Sequence, residues 1–369
     1  MSFFNYIDQF NAIDINGFCS SVTARKVESI LSRDTITEMD FLALLSDEAD
    51  KYLENIAQKA RLYTCRNFGK VVKIFTPMYI SNLCENVCAY CSFARHHSIV
   101  RRHLSFDEIC AEGQKIRETG IRHLLVLTGE APGKASVEYI RTAVTILREY
   151  FSSVSIEVYP LTQSGYKEVI DAGADGLTIY QETYNRELYT RLHSGGPKGD
   201  YIFRIEAPDR ACKEGIRAVT VGALFGLYEW RYEAFFTALH AAYLQKKYPS
   251  VEVSVSFPRL RPLVGDFTSE HILSDRQFVR ILTALRLFLP SVGITVSTRE
   301  SEALRNAVLP MGVTKMSAGV STAVGGHSGN ASTSQFEIAD CRDVEKMCSD
   351  LISMGYQPVM HDWNNSYVL

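Results

Sequence analysis

The run Val71-Val-Lys-Ile-Phe-Thr-Pro-Met-Tyr-Ile-Ser-Asn-Leu-Cys84-Glu-Asn-Val-Cys88-Ala-Tyr-Cys91 decides the fold. Its first ten residues are rich in β-branched and aromatic side chains and read as a strand. The strand runs directly into a loop holding three thiols. Upstream, the first 70 residues read as helical. Asp40 to Ala60 places apolar residues at helical spacing without an internal Gly or Pro, which predicts one helix there. Downstream, Ser105-Phe-Asp-Glu108 is a capping box opening a helix that stops near Gly120. Strand-like runs then recur at 123–130, 155–160, 176–182, 218–225, 251–258, 293–300 and 313–319, with helical stretches between most of them. Gly120, Gly173, Gly215, Gly293 and Gly312 sit at or just before strand starts, where a helix end or αβ turn wants a positive φ.

With the first run there are eight β-then-α units, which predicts a (βα)8 TIM-type barrel. A doubly wound open sheet is the alternative. The organisation predicted is a helical N-terminal extension over 1–70, a barrel over 71–330 and a C-terminal segment over 331–369 that packs on it. That last segment includes a helix near 342–354.

Composition narrows the function classes. The 369 residues carry 39 Lys+Arg against 42 Asp+Glu, a net charge of −3, which argues against a sequence-blind nucleic-acid binder. No apolar run approaches a membrane span. The N-terminal M-S-F-F-N-Y-I-D-Q-F lacks the basic and apolar regions of a secretory signal, so a cytoplasmic location with reduced thiols is expected.

In a barrel the active site gathers at the C-terminal ends of the strands. The polar residues expected there are the cysteine loop, Thr128-Gly129-Glu130, Gln181-Glu182, Arg259 and Arg261, Arg299-Glu300, and Ser317. The sharpest signal is Cys84-x3-Cys88-x2-Cys91. Three soft thiolates at this spacing suit an iron–sulfur cluster or zinc. Zinc would need a fourth ligand, which His96 or His97 could supply, and a zinc-stabilised barrel would be a binding or scaffold protein. A [4Fe–4S] cluster on three cysteines leaves one iron open for a ligand. The other six cysteines, Cys341 and Cys348 among them, are scattered and read as buried thiols.

The C-x3-C-x2-C spacing, with aromatic Tyr90 before the last cysteine, resembles the radical S-adenosylmethionine (SAM) superfamily. The resemblance implies one [4Fe–4S] cluster on Cys84, Cys88 and Cys91, whose open iron binds SAM and whose electron splits it into methionine and a 5′-deoxyadenosyl radical. Thr128-Gly129-Glu130 resembles the superfamily's Gly-Gly-Glu segment, which contacts the SAM amino group. Glu182 and Arg204 are placed to meet the SAM ribose and carboxylate.

Further runs resemble the aromatic-amino-acid lyases of that superfamily, nearest to the 2-iminoacetate synthases of thiamine biosynthesis. They include Y-Q-E-T-Y (180–184), G-P-K-G-D-Y (196–201), S-F-P-R-L-R-P (256–262), S-T-R-E (297–300), M-S-A-G (316–319), Q-F-E-I (335–338) and P-V…H-D-W (358–363). The family implies cleavage of the Cα–Cβ bond of L-tyrosine to 2-iminoacetate and p-cresol; a relative acting on tryptophan is the alternative. Arg299 and Ser317 would hold the substrate carboxylate, and Tyr79 would lie near the reacting amine. A reductant such as flavodoxin or ferredoxin and a thiazole synthase are the implied partners. The family's S-A-G-S-(K/R)-T-x-P-G-G-Y reads here Ser317-Ala-Gly-Val-Ser-Thr-Ala-Val-Gly-Gly-His327, with Ser321, Val324 and His327 as departures. Cys341 and Cys348 lack the C-x2-C spacing of a second cluster, so none is expected.

Overall fold

A computed structural model describes residues 2–329 and 331–360. Eight parallel strands close a barrel: β1 (Val71–Ser81), β2 (His123–Thr128), β3 (Ser153–Glu157), β4 (Gly176–Glu182), β5 (Ala218–Ala223), β6 (Glu252–Ser256), β7 (Gly293–Val296) and β8 (Lys315–Ser317). Closure comes from β1, which is long enough to pair on both sides. Lys73–Phe75 pair with β8, and Thr76–Ser81 pair with β2. All eight predicted strands are present, and the closed ring excludes the open sheet. The strands are buried almost throughout, as expected where helices cover the outside of a parallel barrel.

A ninth strand, β9 (Gln357–Val359), pairs with Val71–Lys73 of β1. It lies in line below β2, since the Arg122 N–H donates to the Met360 carbonyl. It thus covers the part of β1 that β2 leaves open. The sequence reading did not foresee this strand. Helix Val344–Ser353 precedes it, close to the predicted 342–354. His361, Asp362 and Trp363 lie outside the described residues.

Two local expectations are corrected. The single helix over 40–60 is three: Glu38–Leu44, Asp47–Asp50 and the start of Leu53–Phe68. The chain breaks because Ser46 caps the second piece, accepting the Ala49 N–H. Buried Arg280 draws off the Leu45 and Ser46 carbonyls at 3.3 and 3.0 Å and pairs with Asp50. Apolar periodicity continues across the break because the first and third pieces both pack on helix Asp275–Phe288, while the short middle piece buries Ala49 among the N-terminal helices. Gly293 is the other correction. Gly120, Gly173, Gly215 and Gly312 take positive φ; Gly293 does not. It lies in β7, where a Cβ would run into the Ser254 hydroxyl of β6, so strand proximity requires it.

The capping box is present as predicted, with Ser105 accepting the Glu108 N–H and Glu108 accepting the Ser105 N–H. Two register shifts, at Tyr79/Ser81 in β1 and Tyr180/Glu182 in β4, fall at the C-terminal end of the barrel. Glu182 (φ 70°) is the one non-glycine residue with positive φ among the described residues.

Candidate active site

The cysteine loop is held from three sides. Gly129 donates to the Ser81 carbonyl and Glu85 donates to the Glu130 carbonyl, both at 2.8 Å, tying the loop to the end of β2. Val87 and Ala89 donate to Gly195 and Leu192, tying it to the segment after β4. The Arg101 guanidinium collects the carbonyls of Asn82, Phe93 and Ala94 at 2.7–2.8 Å. Three cysteines on an 8-residue arc are thereby fixed over the barrel mouth.

Their surroundings suit a thiolate-bound cluster. The Asn86 amide reaches the Cys84 sulfur at 3.7 Å and the Gln335 amide reaches Cys91 at 3.9 Å, hydrogen bonds that favour electron-rich sulfur. Burial pushes the Cys88 thiol up to about 12 and raises Cys91, so these thiols would ionise here only against a cationic partner such as a metal centre. Among the described residues no three His, Cys, Asp or Glu side chains close to the spacing of a single ion. His97 does not complete a zinc site; its Nδ1 faces the Ser92 carbonyl at 3.2 Å. A cluster takes each thiolate at a different iron and does not need that convergence.

The same cavity is lined by Thr128, Gly129, Glu130, Glu182 and Arg204. Thr128 Oγ1 is buried with no hydrogen-bond partner among the described residues. A Cβ at Gly129 would strike the Leu83 carbonyl, so only glycine lets β2 approach the loop this closely. Glu130 accepts from Asn86 Nδ2 at 2.7 Å. Glu182 is buried and accepts from Lys198 Nζ at 2.6 Å and Arg204 Nη2 at 3.1 Å. Burial alone would raise its carboxyl, but the two cations outweigh burial and hold it below the usual range. Arg204 is itself fixed by the Tyr180 carbonyl at 2.7 Å. The bulge at Tyr180/Glu182 and the strained φ together turn Glu182 inward. Tyr90 has its hydroxyl 2.6 Å from His193 Nε2, its ring near Lys198, and it lines the adjoining cavity.

Arg299 and Ser317 line a further cavity, with Tyr79. Arg299 pairs with neither Glu300 nor Glu302. Glu300 binds Arg259, and Glu302 faces Arg342 at 3.8 Å. The Arg299 guanidinium instead stacks 3.4 Å from the Phe336 ring centre and donates to the Arg259 carbonyl at 3.2 Å. The Ser317 hydroxyl accepts the Thr298 N–H at 3.1 Å. Tyr79 donates to Gln335 Oε1 at 2.8 Å. Arg259, held by Glu300 and Asp275, is a rim strut, while Arg261 lines the cavity beside Tyr90. Of the three departures from the family run, Ser321, Val324 and His327 all lie off these cavity walls, which Val320 and Thr322 line instead.

Four charged or amide-bearing cavity residues escaped the sequence reading: Asn86, Glu157, Lys198 and Gln335. Lys198 and Gln335 lie in quoted runs, but their side chains gave no reason to single them out. Glu157 had a signal. A charge at the end of a buried strand is costly and worth suspicion, yet the third strand was placed at 155–160, which put Glu157 mid-strand. Observed β3 ends at Glu157.

Residues 78–240 match the radical SAM superfamily, and residues 256–357 match the biotin and thiamin synthesis associated domain. The chain is 40% identical over 354 residues to the 2-iminoacetate synthase of Escherichia coli K12, covering 95% of this chain and 94% of that one. It is 39% identical to the Salmonella typhimurium 2-iminoacetate synthase over the same shares. Among solved structures, HydG, a maturase of the [FeFe]-hydrogenase, superposes with a TM-score of 0.91 at 30% identity, over 96% of this chain and 81% of that one. A [4Fe–4S] cluster and SAM are accordingly its cofactors, and likeness over nearly the whole length makes the chain a member of the 2-iminoacetate synthase family of radical SAM lyases.

Proposed function

We propose that this enzyme cleaves the Cα–Cβ bond of L-tyrosine, releasing 2-iminoacetate for thiazole formation and, finally, p-cresol. One observation carries the reading beyond kinship. A cavity bearing three cysteines adjoins a cavity bearing a guanidinium with no carboxylate partner among the described residues, and Glu157 and Gln335 line both. When bound, the cluster and SAM would supply the radical chemistry for removing a hydrogen atom from the substrate amine.

The chain's own residues do the rest. Cys84, Cys88 and Cys91 ligate three irons. Tyr90, Thr128, Gly129, Glu130, Glu182 and Arg204 form the SAM pocket: the orphaned Thr128 hydroxyl and the Glu130 carboxylate suit an amino group, and Glu182 suits ribose hydroxyls. Arg299 pairs with the substrate carboxylate, seconded by the Ser317 hydroxyl. A bidentate pair fixes which face of the amino acid meets the radical. Tyr79, positioned by Gln335, stands beside the amine. Buried walls of Phe75, Pro77, Leu125 and Leu127 exclude water from the fragmentation.

A flavodoxin or ferredoxin as reductant and a thiazole synthase as acceptor fit this chemistry, since 2-iminoacetate hydrolyses in water and gains from direct handover. A cytoplasmic location fits the oxygen-sensitive cluster; no helix among the described residues is long and apolar enough to cross a membrane. The test is anaerobic product analysis with reduced protein, SAM and tyrosine. The expected products are p-cresol, glyoxylate from hydrolysed iminoacetate, and 5′-deoxyadenosine. Turnover of tryptophan but not tyrosine would overturn the substrate.

A further inference from the structure

Glu157 closes β3 and is half-buried. Its backbone pairs with Leu127 of β2, but its carboxylate makes no hydrogen bond or ion pair with any described residue. Glutamates elsewhere in the site are engaged: Glu130 by Asn86, Glu182 by Lys198 and Arg204, Glu300 by Arg259. Glu157 and Gln335 are the two residues that line the cysteine cavity, the Tyr90 cavity and the Arg299 cavity alike. Gln335 is occupied by Tyr79. Glu157 therefore stands as an unengaged carboxylate at the junction where the radical must meet its substrate.

The charges facing it are Arg299, Arg204 and Lys198, with Glu182 opposing. Arg204 and Lys198 are committed to Glu182. Arg299 is uncommitted, yet it does not meet Glu157 in an ion pair. One wall thus offers an unpaired cation and another an unpaired anion, the complement of a zwitterion. Burial pushes the Glu157 carboxyl up to about 7, a cost that an arriving cation relieves.

We propose that Glu157 receives the α-amino group of the amino-acid substrate, opposite the carboxylate held by Arg299. The assignment rests on the tyrosine reading above and adds a positioning group to it. With one charge anchored at the end of β3 and the other in the turn after β7, the amino acid has its nitrogen, the atom that loses hydrogen, pinned beside the cysteine cavity. Neither anchor alone would fix that rotation.

The test uses cluster-loaded protein with SAM and the cluster left oxidised, so that binding is read without turnover. Calorimetric titration compares L-tyrosine with 3-(4-hydroxyphenyl)propanoate, which keeps ring and carboxylate and lacks the amine. The wild type should favour tyrosine by about thirtyfold, the scale of losing one partner of a desolvated charge pair. Glu157→Gln should erase that preference by weakening tyrosine alone, and Glu157→Asp should retain part of it. Equal weakening of both ligands by Glu157→Gln, or an unchanged preference, overturns the proposal. If the wild type binds tryptophan and not tyrosine, the tyrosine reading has failed, and the same comparison with indole-3-propanoate decides the role of Glu157.

Discussion

Arg299 and Arg259 are both half-buried guanidiniums at the barrel mouth, and their partners tell them apart. Arg259 is consumed by Glu300 and Asp275; Arg299 rests on an aromatic face with its charge unmet. Arg299→Ala should therefore raise the tyrosine KM by the equivalent of about 2–5 kcal/mol, because a desolvated carboxylate loses its cation. 5′-Deoxyadenosine should still form, uncoupled from p-cresol, which product ratios will show. Unchanged tyrosine kinetics would reduce Arg299 to a strut. Arg259→Ala should instead lower the melting temperature and leave the KM near wild type. Cys88→Ala should abolish both cluster absorbance and SAM cleavage while the circular dichroism of the barrel persists. Retained SAM cleavage in that variant would sink the cluster assignment.

Among the elements, β7 meets β6 so closely that the Ser254 hydroxyl occupies the place of a side chain at 293. Gly293→Ala should destabilise the barrel by about 1–3 kcal/mol, the usual cost of overpacking, with Ser254→Gly restoring it in the double variant. Denaturant melts of the three proteins check this. All eight strands were legible because each falls in an apolar or β-branched run set off by turn residues or helical periodicity. The three-part break over 40–60 was not, because its cause is tertiary: Arg280, 230 residues from Asp50, takes the carbonyls. Nor was β9, whose three residues pair only because β1 outruns β2. At the cavity, the placement of residues carrying a motif was legible, whereas Glu157 was hidden by a three-residue error in the end of β3. The strained turn of Glu182 has no sequence signal, since positive φ away from glycine is a property of the folded surroundings.

Across the molecule, the N-terminal helix Phe3–Ile7 docks on the barrel through Phe3, stacked 3.9 Å from His240 beside Tyr184. Burial drives His240 down to about 3 and Glu233, two helical turns earlier, up to about 8. The signs differ in consequence. Glu233 stays protonated in the fold where the unfolded chain ionises, so stability falls as pH rises from the ordinary glutamate range toward 8. His240 stays neutral where the unfolded chain protonates, so stability falls as pH drops below about 6.5. Glu233→Gln should flatten the loss of melting temperature between pH 6 and 8; an equally steep loss in the variant would show that Glu233 is not its source. Iron analysis of reconstituted protein should give about four irons per chain, and about eight would reveal a second cluster.

The two-sided pairing of β1 also dictates an order of events during synthesis. Residues 71–81 leave the ribosome early, but their partners at 315–317 and 357–359 come more than 240 residues later. Until then one side of β1 is an open hydrogen-bonding edge, a template for pairing with other chains, and the three thiols just beyond it belong to a barrel not yet closed. The nascent enzyme is therefore most exposed to aggregation and to misplaced metal in the interval before its last strand arrives. Chaperone capture, and the timing of cluster insertion, should track the length of that interval.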